Sequence, residues 1–409
     1  MIILREYDDS GGVIVTTMTT HQRLHKPVRM LALLSALSIA AHASEMGGQA
    51  TLWHVQSAVG LDAVVFIGAL AGNSLQYEHY EAEVDYIRPR LSAEASTALG
   101  RLTEFAELHG MLLGPNLALI FSAGPVESLD DVIASAREPE IRLRPELQKS
   151  EYWDAREWTW VRDETLPDVL AVLLGLREAG FEPYWREIAA PTLGMRIEAT
   201  RKYLQRFDII PEHERLLGRR LDPEIDLFLL YFSRPYGIRV TGQRFASHHS
   251  YPMYVQLRTA VHEMFHPPFE RGDHSVYERL RELRTDPWMQ SILAGHDPAI
   301  GYNTFPELLD ESATQALDQL IADRMGFDQG PGARWRKADG GMHMLAAAIY
   351  QMLVEDRFGE TGGNFAEWFD SAIDRGLLAP TEVRRRAALI VGQDAVDRWN
   401  PGQRSLSLP

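Results

Sequence analysis

Residues 253–266 place two histidines four positions apart, in the pentapeptide His262-Glu263-Met264-Phe265-His266. In an α-helix, positions i and i+4 lie on one face about one turn apart, so both imidazoles can reach a single ion. At about 100° per residue, the apolar side chains of this segment form one stripe and the polar side chains form the opposite arc. The stripe comprises Leu257, Val261, Met264 and Phe265, and the arc comprises Thr259, His262, Glu263 and His266. The segment therefore predicts a helix with one face toward the core and another that carries chemistry.

The flanking residues predict where this helix begins and ends. Ser250 can cap its start, with Pro252 in the first turn. Pro267 and Pro268 disfavour helical geometry in the residue before them, so His266 is expected at the very end. Upstream, residues 225–232 and 238–245 are strand-like and are separated by turn residues, which predicts a β-hairpin directly before the helix.

The sequence contains no cysteine, and this narrows the possible chemistry. Disulfides, iron–sulfur clusters, cysteine nucleophiles and thiolate zinc sites are all excluded. A transition-metal site must be built from His, Asp and Glu. The formal net charge of −16 argues against a nucleic-acid partner, because the phosphates would be repelled.

Two histidines and a water molecule leave a tetrahedral zinc one protein ligand short, and Glu311 is the best candidate for the third. It lies in a strong helical pattern over residues 303–321, where Thr304 and Glu307 form a capping box. Glu311 is one turn further along, opposite an apolar face made of Leu309, Ala313, Ala316, Leu317 and Leu320. Glu311 either faces solvent or faces a cleft shared with the histidines. We favour the cleft, because helices beside a metal site must present their ligands inward.

A hairpin, a helix with His262-Glu263-x-x-His266 and a later helix bearing Glu311 resemble the gluzincin metallopeptidases over residues 195–325. In that family the two histidines and the distal glutamate hold zinc, while the glutamate of the motif activates water. The resemblance implies that His262, His266 and Glu311 are zinc ligands and that Glu263 is the general base. It also implies a zincin-like catalytic unit that hydrolyses peptide bonds.

The chain departs from the family pattern at identifiable positions. Asp310-Glu311-Ser312-Ala313 is similar to the Asn-Glu-Gly-x-Ala of many gluzincins, with Ser312 in place of the glycine. A metzincin would carry its third histidine at position 272, which is Gly272 here, and His274 comes later. This spacing argues against a metzincin and leaves His274 as a reserve ligand.

Other polar residues are weaker candidates for roles at such a site. A peptidase needs a hydrogen-bond donor for the oxyanion formed during hydrolysis, usually His or Tyr. The sequence offers five without ranking them: Tyr302, His274, His343, His248 and His249. Asp310, next to Glu311, is a candidate for orienting a ligand histidine. Each of these residues, taken singly, is more often structural or solvated.

The N-terminal part of the sequence predicts export. Basic side chains between Arg23 and Arg29 precede an apolar run over residues 30–41, which is shorter than the ~20 residues of a membrane span. The small-x-small pattern at 41–43 suits cleavage after Ala43. We expect a signal peptide and a periplasmic or secreted protein, with Met18 as a candidate start. A buried N-terminal helix is the alternative. No later segment is a convincing membrane span.

Most of the remaining chain has helical patterning, so the expected class is α+β, predominantly helical, with a small sheet. The expected regions are an N-terminal extension and signal peptide (1–43), a helical region (44–150), a zincin-like metallohydrolase region (151–330) and a helical C-terminal region (331–409). The expected function is a Zn²⁺-dependent peptidase with a peptide or protein substrate. The rival is a non-enzymatic exported binding or scaffold protein in which the pentapeptide is degenerate.

Overall fold

A computed structural model describes residues 3–5, 51–109, 111–150, 153–269, 274–298, 302–327 and 330–401. The predicted signal peptide and its cleavage after Ala43 lie outside the described residues, so export stays a prediction. Among the described helices, none is long and apolar enough to cross a membrane.

The described part of the chain is predominantly helical with one small mixed sheet, which confirms the α+β class. The described strands are β1 (Ile3–Arg5), β2 (Leu52–Gln56), β3 (Glu224–Leu230), β4 (Tyr236–Arg239) and β5 (Arg244–His248). Their order across the sheet is β1-β4-β5-β3-β2. β3 lies parallel to both β2 and β5, whereas β4 lies antiparallel to β5 and β1.

This sheet differs from the predicted hairpin, because segment 238–245 is two strands rather than one. Gly242, with a φ of 68°, lies in the turn between β4 and β5. These two strands form the hairpin, and β5 then pairs parallel to β3, with Phe228 opposite Ala246. The predicted hairpin between residues 225–232 and 238–245 was therefore wrong in its partners. A hairpin does precede the helix with the pentapeptide.

α-Helices form most of the rest of the described chain. Before β3 the structure has Val59–Leu70, Ser74–Tyr77, Glu81–Ile87, Ala93–Leu108, Leu113–Phe121, Leu129–Arg137, Pro139–Arg142, Arg144–Leu147, Ala155–Trp160, Leu166–Glu178, Phe181–Ile188, Ala190–Leu204 and Ile209–Leu217. After β5 it has Met253–Glu263, His274–Arg279, Arg281–Thr285, Pro287–Gly295, Phe305–Met325, Pro331–Lys337, Met344–Glu355, Phe358–Thr361, Phe365–Asp374, Pro380–Val391 and Gln393–Asp397.

Two of these helices position the candidate site, and we call Met253–Glu263 the motif helix and Phe305–Met325 the long helix. The predicted capping box starts the long helix: Thr304 Oγ1 accepts from the Glu307 amide, and Glu307 accepts from the Thr304 amide. Gly326, with a φ of 71°, ends it in a left-handed conformation that favours glycine. The motif helix packs against β4, β5 and the long helix.

Ser250 does not cap the motif helix, which corrects the sequence-based expectation. Its hydroxyl lies 2.7 Å from His248 Nδ1 instead, and the residue before the helix is Pro252, without a side-chain cap. Arg196, on the helix Ala190–Leu204, fixes the segment between β5 and the motif helix, because its guanidinium donates to the carbonyls of His249 and Tyr251. The entry to the motif helix is therefore set by tertiary hydrogen bonds.

Asp62 is a buried carboxyl that joins the first turn of Val59–Leu70 to the end of β3. It accepts hydrogen bonds from the amides of Tyr231 and Phe232 and, at 2.8 Å, from Trp185 Nε1. Burial raises the pKa of Asp62 from its ordinary value of 3.8 to about 7, although these three donors lower it. The folded protein therefore binds the Asp62 proton more tightly than the unfolded chain does.

This shift predicts a pH-dependent stability. The stabilisation by the Asp62 proton is fully present below the unfolded value of 3.8 and is lost as the pH rises through about 7. Between these limits the free energy of unfolding of the wild type should fall by about 4 kcal/mol relative to that of Asp62→Asn. Urea denaturation of both proteins at several pH values measures this difference. Parallel stability curves would show that Asp62 does not titrate in this range.

Candidate metal centre

The motif helix is buried on both of its faces. Its apolar stripe packs in the core, and on its polar side Thr259, His262 and Glu263 are each no more than 1% exposed. Buried polar groups need partners, and Gln256 shows how the fold supplies them: it accepts from Thr200 Oγ1 at 2.9 Å. The side chains of His262 and Glu263 are therefore held in the protein interior.

His266 lies three residues beyond the end of the motif helix rather than at its very end, where the two prolines predicted it. The helix ends at Glu263, and the chain continues in a turn in which the Phe265 amide donates to His262 O and the His266 amide donates to Glu263 O. This turn keeps the imidazole of His266 beside that of His262, with 4.8 Å between the ring centroids. The two rings meet at an interplanar angle of 67°.

The long helix brings Glu311 to these two imidazoles. Glu311 is fully buried, so the solvent-facing interpretation is wrong, and its side chain lies beside the two histidines as the alternative predicted. Its Oε2 lies 3.5 Å from His262 Nε2 and 3.4 Å from His266 Nε2, and the two Nε2 atoms are 3.0 Å apart. His262, His266 and Glu311 form the group of potential metal ligands found among the described residues.

These distances fit a tetrahedral metal ion. Ligand atoms bound to one zinc at 2.0–2.1 Å with tetrahedral angles are roughly 3.3 Å apart, close to the three separations of 3.0, 3.4 and 3.5 Å. Oε2 of Glu311 is buried and receives no hydrogen bond from the described residues, whereas Oε1 accepts from Gln315 Nε2 at 2.8 Å. A buried carboxylate oxygen without a donor, facing two imidazoles, is what a bound cation would satisfy.

Each candidate ligand has a hydrogen-bond partner on the long helix. His262 Nδ1 lies 2.7 Å from Asp318 Oδ2, and His266 Nδ1 lies 3.2 Å from Thr314 Oγ1. When Nδ1 of each ring carries the proton and donates, Nε2 is left with its lone pair facing the other ligands. Asp318, Thr314 and Gln315 therefore orient the set of ligands.

Sequence analysis missed these three partners, although a signal for them exists. Glu311, Thr314, Gln315 and Asp318 have the i, i+3, i+4, i+7 spacing of one helical face. Asp310, proposed as the orienting residue, instead accepts from Tyr277 Oη at 3.2 Å. It is adjacent to Glu311 in the chain, so its side chain leaves the helix about 100° away from the ligand face.

The charges at this centre suit a divalent cation. Burial raises the pKa of Asp318, but Arg334 and then His262 outweigh it and lower that pKa to about 2. Burial also raises the pKa of Glu311, yet the positive charge of His262 holds it well below its ordinary value. The positive charge of Arg334 balances the negative charge of Asp318. The negative charge of Glu311 then remains beside the two imidazoles, and Glu263, next to His262 in the sequence, is a second carboxyl group.

In the metal-free protein, a proton compensates part of this charge. Burial lowers the pKa of His262, but Glu311 and Asp318 overcome that effect and raise it to about 10. A metal ion and this proton compete for the same imidazole, because only neutral imidazole can bind the metal.

The five candidate oxyanion donors occupy different places. Tyr302 is buried near Glu311 and Glu263: burial raises its pKa well above the ordinary value, and Glu311, Asp339 and Glu263 raise it further, so its hydroxyl stays protonated. The ring of His343 contacts that of Tyr302 edge to face, and His343 Nε2 bonds to Asp339 Oδ2.

The other candidate donors lie elsewhere. His248 and His249 lie at the end of β5, beside Tyr251 and Tyr231 respectively. Residue 274 begins a described helix, but its side chain lies outside the described residues.

Comparison with protein-family models, curated proteins and solved structures found no match for the chain. The residues themselves, and the way the fold arranges them, therefore carry the functional argument.

Proposed function

We propose that this protein is a zinc-dependent metallopeptidase with a zincin-like catalytic unit of the gluzincin type. The observation that carries the proposal is the convergence of His262 Nε2 from the motif helix, His266 Nε2 from the turn after it and Glu311 Oε2 from the long helix, at the spacing of a tetrahedral ion. The mixed sheet directly before the motif helix, and the pentapeptide itself, support the gluzincin type. The choice of peptide bonds as substrate rests on that resemblance.

The residues of the site have separate roles in hydrolysis. His262, His266 and Glu311 hold the ion, and bound zinc would lower the pKa of water to about 7 and polarise a carbonyl. Glu263, which is not one of the three ligands, accepts a proton from the attacking water as the oxygen bonds to the carbonyl carbon. It then gives this proton to the amine nitrogen as the C–N bond breaks. Tyr302, with its hydroxyl protonated beside Glu311 and Glu263, is the best-placed donor to the oxyanion.

A metal-dependence experiment tests this function. The purified protein should contain about one zinc per chain and cleave members of a fluorogenic peptide library. A chelator should remove the metal and the activity together, and added Zn²⁺ should restore both. Failure to take up any metal would contradict the metal centre. Stoichiometric zinc without cleavage of any peptide would contradict the peptidase.

A structural metal centre in a non-enzymatic binding or scaffold protein is the second candidate. The observation that favours it is burial, because the three ligand side chains are no more than 2% exposed. Catalytic zinc keeps a coordination position for exchangeable ligands, whereas structural zinc does not. Acetohydroxamate should therefore change the visible spectrum of the Co²⁺-substituted protein if the site is catalytic. An unchanged spectrum at saturating hydroxamate would favour the structural centre.

A further inference from the structure

Two hydrogen-bonded chains connect the candidate ligands to one short helix, Pro331–Lys337, which we call the support helix. In the first chain, Arg334 forms a two-pronged ion pair with Asp318, with Nη2 at 2.9 Å from Oδ2 and Nη1 donating to Oδ1. Asp318 Oδ2 in turn lies 2.7 Å from His262 Nδ1. The chain thus runs from a guanidinium to an imidazole through one carboxylate.

The second chain starts at the next residue of the support helix. Trp335 Nε1 donates to Gln315 Oε1 at 2.7 Å, and Gln315 Nε2 donates to Glu311 Oε1 at 2.8 Å. The indole thereby fixes which end of the Gln315 amide faces the carboxylate. If the amide turned round, its oxygen would face Glu311 and repel it.

Burial makes both chains effective. The side chain of Arg334 is 8% exposed, and Trp335 is fully buried. Hydrogen bonds and ion pairs shielded from water hold their geometry more strongly than exposed ones. The support helix is itself closely packed, since a Cβ at Gly332 would approach Ile390 O to 2.7 Å.

We propose that Arg334 and Trp335 are positioning residues that set the metal affinity and the coordination geometry of the centre. The inference rests on the proposed metal centre but not on peptide hydrolysis. Arg334 keeps both oxygens of Asp318 in place, so that His262 turns Nε2 to the ion. Trp335, through Gln315, occupies Glu311 Oε1 and leaves Oε2 for the ion.

Metal binding by variants of these two residues tests the inference. Arg334→Gln and Trp335→Phe should each raise the dissociation constant for Zn²⁺ about 10- to 100-fold, measured by competition with a chromophoric chelator. Arg334→Lys loses the planar fork but keeps the positive charge. Because the charge remains, its effect should be smaller than that of Arg334→Gln. The visible spectrum of the Co²⁺-substituted variants should shift, because ligand orientation changes.

Matched controls separate positioning from a general loss of stability. Trp288 is 1% exposed and donates from Nε1 at 3.0 Å to Val396 O, a backbone carbonyl rather than a side chain bonded to a candidate ligand. Arg336, on the support helix itself, donates to Val391 O. Trp288→Phe and Arg336→Gln should lower Tm but leave the Zn²⁺ dissociation constant and the Co²⁺ spectrum as in the wild type.

The outcomes are distinguishable. Unchanged metal affinity and an unchanged Co²⁺ spectrum in both Arg334→Gln and Trp335→Phe would overturn the inference, as would equal shifts in the two controls. A wild-type chain that binds no metal would overturn both this inference and the proposed function. A wild-type protein that binds metal tightly but cleaves no peptide, with weaker metal binding in the two variants, would support the inference and contradict the peptidase.

Discussion

Replacing Glu263 with glutamine should leave zinc bound and reduce peptide hydrolysis by about a thousandfold. Glutamine keeps the shape of the side chain but cannot accept a proton, and a positioned general base contributes roughly 10²–10⁴ in rate. The ligands are other residues, so metal analysis should still find wild-type zinc content. Turnover on a fluorogenic peptide and metal content, measured on the same sample, give the result.

The control for this variant is Glu104→Gln, which makes the same chemical change at an exposed position of Ala93–Leu108. It should match the wild type in both turnover and zinc content. If Glu263→Gln carried stoichiometric zinc and turned over like the wild type, the role assigned to Glu263 would be wrong. Loss of zinc from that variant would instead mean that Glu263 contributes to metal binding.

Replacing Glu311 with glutamine should remove the metal. The neutral amide oxygen is a much poorer ligand than the carboxylate, and only His262 and His266 would remain. We expect the Zn²⁺ dissociation constant to rise by more than the 10- to 100-fold typical of an orienting partner. Dialysed protein should then contain little zinc by elemental analysis, and the peptidase activity should disappear with it.

Glu307→Gln is the matched control on the same helix. Glu307 closes the capping box one turn before Glu311, and glutamine can still accept from the Thr304 amide, so only the favourable charge at the helix start is lost, about 0.5 kcal/mol. Tm should fall slightly, while zinc content stays at the wild-type level. Full zinc occupancy with unchanged affinity in Glu311→Gln would contradict the assignment of Glu311 as a ligand.

The local patterns in the sequence predicted individual elements well. The long helix, expected over residues 303–321, spans Phe305–Met325 and begins at the predicted capping box. These features depend on hydrogen bonds and side-chain contacts between neighbours in the chain. The same reasoning misplaced the cap of the motif helix, because Ser250 bonds to His248.

Strand pairing was the weaker part of the prediction. The segment 225–232 was expected to pair with the segment after its own turn as a hairpin. The amides of Tyr231 and Phe232 bond to Asp62, however, and β3 ends at Leu230. β2 comes from a region with mostly helical patterning, and it pairs parallel to β3 as the edge strand of the sheet. An apolar strand fits several neighbours, and local periodicity does not select among them.

The sequence alone determined that His262 and Glu263 lie on the polar face of one helix with His266 close behind them in the chain, and that no metal site can use thiolate ligands. Spacing and composition settle both, since each depends on neighbouring residues or on the absence of cysteine. Tertiary structure decided that Glu311 faces the two imidazoles and that Asp318 contacts His262, 56 positions away in the chain. It also decided that Arg334 bonds to Asp318 and that Trp335 bonds to Gln315. These contacts depend on how the helices pack across the core, and the geometry of that packing is a property of the whole folded chain.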